Sequence, residues 1–325
     1  MSTNSTSSGI LSKCAACGKG GDNLKVCTSC EQVSYCNAKC RNSHRSKHKK
    51  ACKQYAAKIR DKNASIRAEV DAISEKMCSI EISDEELFAD LPPKEDCEIC
   101  MLPIPYAQSL CRVGKTYMPC CGKVLCSGCI IASFTEMEKG NMKQWCAFCR
   151  LPFPRTSGEF TKRYNNRMKV KDAEAFRMLG KCYLDGGGFV KKSINKAIEL
   201  WNRAVELGSI GVHYYLATAY LEGRYVGRNP TIALHHFKMA AIGGHEKARY
   251  YLGLFEYDNG NHHRAMKHFM IAARSGYDDA LKEVGEGYKA GHVTKDEYAS
   301  TLRTHQSIRN EMKSEQRSKA AANRL

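Results

Sequence analysis

The sequence predicts a multidomain chain: two small zinc-stabilised finger modules followed by an all-α helical-repeat solenoid. Three observations carry this expectation. The 325 residues are too many for one small core and suggest two or three domains. The 18 cysteines are bunched, seven from Cys14 to Cys52 and nine from Cys97 to Cys149, with only Cys78 and Cys182 standing apart. From Asp172 onward the sequence repeats itself every 32 to 37 residues, a period that marks two-helix solenoids.

Bunched cysteines favour local metal sites over disulfides. Disulfides would need an oxidising compartment and a secretory signal, and the opening MSTNSTSSGILSK is a Ser/Thr-rich polar tail without an apolar stretch. Residues 1–13 are expected to be a disordered tail and the location to be cytoplasmic or nuclear. No run approaches the roughly 20 apolar residues that a spanning helix requires, so no membrane partner is expected. The formal charge of +17 resembles a nucleic-acid signature, but it counts every cysteine as neutral. Fifteen zinc-bound thiolates at −1 and four zinc ions at +2 lower that total by seven, to +10. The remaining basic strip, Arg41 to Lys62, holds Tyr55 alone and lacks a series of interleaved aromatics, which argues against nucleic acid as a partner.

The first module, 14–52, reads as four pairs: Cys14/Cys17, Cys27/Cys30, Cys36/Cys40 and His48/Cys52. A two-residue gap lets two thiolates of a tight turn face one ion, and an i, i+4 pair projects from one face of a helix. Eight ligands imply two zinc ions. The order of pairs, with Tyr35 before the third and His48-Lys49 in the fourth, resembles the MYND zinc finger. That resemblance implies interleaved sites, Cys14, Cys17, Cys36 and Cys40 on one ion and Cys27, Cys30, His48 and Cys52 on the other. His44 is the alternative to His48. Where the family's peptide-binding tryptophan is expected, this chain has Arg45.

Residues 53–93 show helical periodicity (Ile59, Ile66, Val70, Ile73, Met77) and read as a helical linker stopped at Leu91-Pro92-Pro93. The second module, 94–155, again offers eight ligands: Cys97, Cys100, Cys120, Cys121, Cys126, Cys129, Cys146 and Cys149. This layout resembles an all-cysteine RING finger. The resemblance pairs Cys97, Cys100, Cys126 and Cys129 on one zinc and Cys120, Cys121, Cys146 and Cys149 on the other. The second pair reads CCGK where the family has cysteine and histidine one residue apart. Adjacent cysteines point different ways along extended chain, so either the backbone kinks at Gly122 or one thiol stays off the metal, with Cys111 in reserve. The resemblance to RING ubiquitin ligases also implies partner-binding roles. Ile99 stands where the apolar contact to a ubiquitin-conjugating enzyme lies, Arg150 where a cation bridges that enzyme to ubiquitin, and Trp145 near the docking tryptophan. Core packing is the other reading of Ile99 and Trp145, and Arg150 is equally readable as an ordinary surface cation.

In the repeats, 165–303, Leu179-Gly180, Leu216-Ala217, Leu252-Gly253 and Val284-Gly285 recur. Trp201, Phe237 and Phe269 are each followed three residues later by Ala204, Ala240 or Ala272, and units close on Gly208, Gly244 and Gly276. The pattern resembles Sel-one-like repeats, relatives of the tetratricopeptide repeat, over 172–303. Glu256 breaks it, standing where the other units have Tyr183, Tyr220 and Tyr288. A long polar helix, Lys295 to about Ala322, is expected to cap the stack, its end forming a 304–325 capping helix and tail. The run Gly186-Gly187-Gly188 lacks the strand, lysine and Ser/Thr of a phosphate cradle and reads as a loop. A groove for a partner's peptide or helix is the expected use of such a stack.

No nucleophile and base stand together, and the cysteines are spent on zinc, about four ions in all. The expected function is a zinc-binding protein-interaction protein acting as a RING-type ubiquitin ligase by proximity; a non-catalytic scaffold, with a role in transcriptional regulation as one setting, is the alternative. The fingers are expected to unfold on chelation while the repeats persist.

Overall fold

The computed structural model describes residues 13–20, 24–27, 29–30, 32–78, 81–104, 115–140, 142–186, 189–223 and 226–322. The stretch 1–12, Cys111, Gly187 and Gly188, and the side chains of Ile66, Val70, Ile73 and Met77, lie outside that description. The chain divides into two compact units, 1–69 and 70–325.

In the first unit an antiparallel pair, β1 (Lys25–Val26) and β2 (Ser34–Tyr35), precedes the long helix α1 (Ala38–Cys78), which continues into the second unit. The helical linker expected over 53–93 is not one helix: α1 is described to Cys78, and residues 81–83 are not helical. A separate short helix α2 (Asp84–Phe88) follows, started by a capping box in which Ser83 and Glu86 satisfy each other's backbone N–H groups.

The second unit then forms the hairpin β3 (Lys115–Met118) and β4 (Lys123–Cys126), followed by α3 (Ser127–Lys139) and α4 (Ser157–Lys169). The solenoid consists of α5 (Ala173–Asp185), α6 (Ile194–Glu206), α7 (Ile210–Glu222), α8 (Pro230–Ile242), α9 (Glu246–Asp258), α10 (His262–Arg274), α11 (Asp278–Lys289) and α12 (Lys295–Glu311). The repeated landmarks are its core: Trp201, Phe237 and Phe269 are buried, as are Ala204, Ala240 and Ala272. Each aromatic lies against the small residue of the preceding helix; a Cβ on Gly180 would come within 2.5 Å of Trp201, and one on Gly253 within 2.4 Å of Phe269. Gly208, Gly244 and Gly276 turn the chain with φ of 78°, 85° and 93°. No helix among the described residues is long and apolar enough to cross a membrane.

The expected single terminal helix is broken. Met312 is buried at the end of α12, and Ser314 Oγ accepts from Arg317 N at 3.2 Å to start α13 (Glu315–Ala322). Helix α13 packs on α3 of the cysteine-rich module, so it does more than cap the stack. At the other end, Tyr117 of β3 shares a core with Tyr164, Ala175 and Leu179 of α4 and α5. The Tyr117 hydroxyl donates to Asp172 at 2.7 Å, where Arg167 also pairs. The module at 97–149 is therefore packed into the first and last turns of the solenoid.

Polar groups are buried in the repeats too. His213 and His236 face each other Nδ1 to Nδ1 at 2.9 Å, an arrangement that needs one donor and one acceptor and tolerates no extra proton. Burial holds His213 down at about 4 and His236 at about 3. An unfolded histidine titrates near 6.5, so below that pH the unfolded chain takes up protons that the fold refuses. Stability should be complete above pH about 6.5 and fall as pH drops towards 4, by up to about 1.4 kcal/mol per unit for each histidine. Urea unfolding between pH 7 and pH 5 checks this. The slope should become shallower in His236→Leu, and a slope unchanged by that substitution contradicts it.

Candidate metal centres and docking surface

Four groups of side chains converge: Cys14, Cys17, Cys36 and Cys40; Cys27, Cys30, His48 and Cys52; Cys97, Cys100, Cys126 and Cys129; Cys120, Cys121, Cys146 and Cys149. In each, the donor atoms all lie within 4.8 Å of one another. A tetrahedron with zinc–sulfur bonds of about 2.3 Å has edges of about 3.8 Å. The sulfur separations fit: Cys17–Cys36 3.7 Å, Cys27–Cys52 3.8 Å, Cys100–Cys126 3.9 Å and Cys121–Cys146 4.0 Å. Cys30 Sγ lies 3.2 Å from His48 Nε2. The donor sets therefore suit zinc at about four sites, each with four protein ligands and none left open for water.

Local structure brings each pair together. Cys14 and Ser34 form a bridge beside β2, and Cys27 N donates to Val33 O, so the hairpin aligns the first two pairs. Asn37 Oδ1 caps the start of α1 at Cys40 N, and His48 and Cys52 follow on the same helix. His44, the alternative ligand, instead holds the Tyr35 hydroxyl at 3.1 Å through Nδ1. In the second module the CCGK corner turns at Gly122, with φ 73° and its N–H on Met118 O, and both Cys120 and Cys121 enter the cluster.

The first and last pairs of that module are two copies of one turn. Cys97 N donates to Leu102 O and Met101 N to Cys97 O; Cys146 N donates to Leu151 O and Arg150 N to Cys146 O. Met101 and Arg150 both have left-handed φ, 55° and 59°. Four thiols so close cannot all ionise by themselves. A hydrogen bond from the Cys126 thiol pulls Cys97 down to about 4, and the same bond pushes Cys126 up. A dication removes this conflict by stabilising every thiolate together. Further donors are present: Cys126 N to Cys97 Sγ at 3.3 Å, and Arg317 Nη2 to Cys100 Sγ at 3.6 Å. Arg317, only 2% exposed, also donates to Leu102 O, Pro103 O and Met312 O. It fastens α13 to the first cysteine turn, a contact that the helical pattern of the sequence does not reveal.

Of the three residues expected to meet a partner, Ile99 is 42% exposed, Arg150 is exposed and Trp145 is half-buried beside its bridge to Pro152. Sequence reasoning missed Met101, Phe148 and Leu151, which are also exposed on the two turns. The signal was available, since Phe148 stands in CAFC where Ile99 stands in CEIC. Lys123 ties the turns together, reaching Glu98 at 2.8 Å and lying 5.6 Å over the Phe148 ring.

Comparison with known proteins agrees with the two ends of this architecture. Residues 14–52 match the MYND finger family model, and 173–209, 212–245 and 246–277 match that of the Sel1 repeat. Among solved structures, a protective antigen of uropathogenic Escherichia coli displaying an SLR fold is 27% identical, with a TM-score of 0.39 over 47% of this chain and 33% of its own. The chain thus spans about a third of that protein's length. A Sel1 repeat protein from Oxalobacter formigenes is 25% identical, with a TM-score of 0.36 over 39% of this chain and 97% of its own. No curated protein matches the chain. The protein thus combines a zinc-binding finger with a Sel1-repeat solenoid, both modules of protein interaction.

Elemental analysis of the purified protein should find zinc near four per chain, one for each cluster. A value near two contradicts one of the modules. Arg317→Ala should leave the zinc content at neutral pH intact but speed zinc transfer to a colorimetric chelator, because a buried donor to a thiolate is lost.

Proposed function

We propose that the sixteen clustered side chains hold four zinc ions and that the protein is a modular interaction protein whose 97–149 module acts as a RING-type ubiquitin ligase. The carrying observation is the apolar set Ile99, Met101, Phe148 and Leu151, exposed at the tips of the two cysteine turns with Arg150 beside them. Apolar side chains on zinc turns are not needed for the core, since Ile104, Met118, Leu125 and Ile130 fill it. Their exposure fits a surface kept for a partner. Metal with four protein ligands cannot activate water, so the zinc only shapes that surface. Catalysis then consists in holding a charged conjugating enzyme in its reactive arrangement while the repeats or the MYND finger hold the substrate. Ile99 supplies apolar contact and Arg150 a cation towards ubiquitin.

The scaffold reading rests on a different observation: α13 lies across the first turn of α3, where a Cβ on Gly128 would meet the Arg317 backbone at 2.9 Å. That face is closed to a partner while α13 stays in place.

Self-ubiquitination with a panel of conjugating enzymes decides between them. Ile99→Ala should weaken enzyme recruitment roughly tenfold without loss of zinc, as expected for an apolar interface anchor. Arg150→Ala should leave recruitment intact and slow discharge, and Cys97→Ser should abolish both. A fully zinc-loaded protein that is inactive with every enzyme leaves the scaffold reading.

A further inference from the structure

The linker segment around α2 behaves as a ligand of the repeat stack. Leu87, 1% exposed, sits among Ala217, Phe237, Ala241 and Leu252. Phe88 lies 4.7 Å from the His268 ring, with the Arg264 guanidinium at 5.2 Å and the Lys267 ammonium at 5.6 Å from its own ring. Asp84 pairs with Arg264, and Lys238 adds to the positive field that lowers its pKa. A five-residue helix has almost no stability of its own, so the face it lies on holds it in shape.

Two features of that face exceed what a structural strap requires. Arg249 is 1% exposed with no carboxylate on it among the described residues; its guanidinium donates to Leu87 O and Ala241 O, and its Nε has no acceptor. A cation buried at such cost is placed to meet the carbonyl end of a docked helix. Second, a departure from the repeat pattern in the third unit builds the anchor: Glu256, replacing a tyrosine, accepts from Arg264 Nε at 3.1 Å and orients it towards Asp84. Beyond Phe88 the face continues through Met270, Ile271 and Met312, which line a cleft of about 750 Å³ together with the segment's own Leu91 and Pro92.

We propose that residues 81–91 occupy, in cis, the protein-binding face of α8–α10, and that its partner in trans is an acidic segment folding as a short helix ending in two apolar residues. This deepens the reading of the repeats as a protein-binding stack. Arg264 and Lys267 receive the acidic turn, Arg249 receives the carbonyl end, and the Leu87 and Phe88 sites receive the apolar pair. A partner that also covers Met270, Ile271 and Met312 displaces the segment; one that does not competes poorly against a tethered ligand.

The test uses a fluorescent peptide of residues 81–93 and the full-length protein. Asp84→Arg together with Phe88→Ala weakens cis docking through a half-buried and an exposed side chain; Asp84→Arg alone serves if the pair perturbs helical circular dichroism. The peptide should bind the double variant at least about tenfold more tightly than the wild type, or the single variant at least about threefold, the smaller gain reflecting one exposed ion pair. Adding Arg264→Ala, which cannot re-pair with the altered linker, should weaken this binding at least about threefold. Absence of binding to every variant, equal binding to wild type and variant, or indifference to Arg264→Ala overturns the proposal. Ubiquitin transfer by the 97–149 module is unaffected by any of these outcomes, so the two readings fail separately.

Discussion

Four sulfurs within 4.8 Å of one another are an electrostatic conflict, and the structure of the cysteine-rich parts depends on how it is resolved. Without a cation, protons must be shared unevenly, as the opposite displacements of Cys97 and Cys126 indicate. With a dication in each cluster its four thiolates become mutually compatible, and the turns at Cys97–Cys100 and Cys146–Cys149, one on each ion, acquire a fixed relation through the β3–β4 hairpin between them. The small hydrophobic cluster of Ile104, Met118, Leu125 and Ile130 could not define that relation alone.

The second module hands this order on to the solenoid. Its β-hairpin enters the core of α4 and α5 through Tyr117, and its first cysteine turn is gripped by Arg317 from α13. Metal binding, the first repeat and the chain's last described helix are therefore linked through a few buried contacts. The expectation that the fingers unfold on chelation while the repeats persist takes no account of these contacts within 70–325.

What the sequence made legible was local. The i, i+3 and i, i+4 spacings of the cysteines, and the Trp201, Phe237 and Phe269 register, are set by turns and helices that need no knowledge of distant chain. What stayed hidden was contact between segments far apart. The polar periodicity of 295–322 runs through Met312 without a break, because the break comes from burial of Met312 and recapping at Ser314. Leu87 looked like part of a connector because its partners lie well over a hundred residues away. The CCGK corner stood between two readings because only the turn at Gly122 decides where adjacent thiols point. Glu256 was visible as a departure from the repeat, but its use, holding Arg264 to Asp84, required the fold.

The linkage between zinc and the solenoid is tested most directly by hydrogen exchange along the chain before and after removal of zinc. The account predicts that amides of α13 and of α4–α5 lose protection together with those of 97–149, while α7–α9, whose shared core holds no residue of 97–149, remain protected longest. Loss of protection confined to 97–149, with α13 and α5 unchanged, would contradict it.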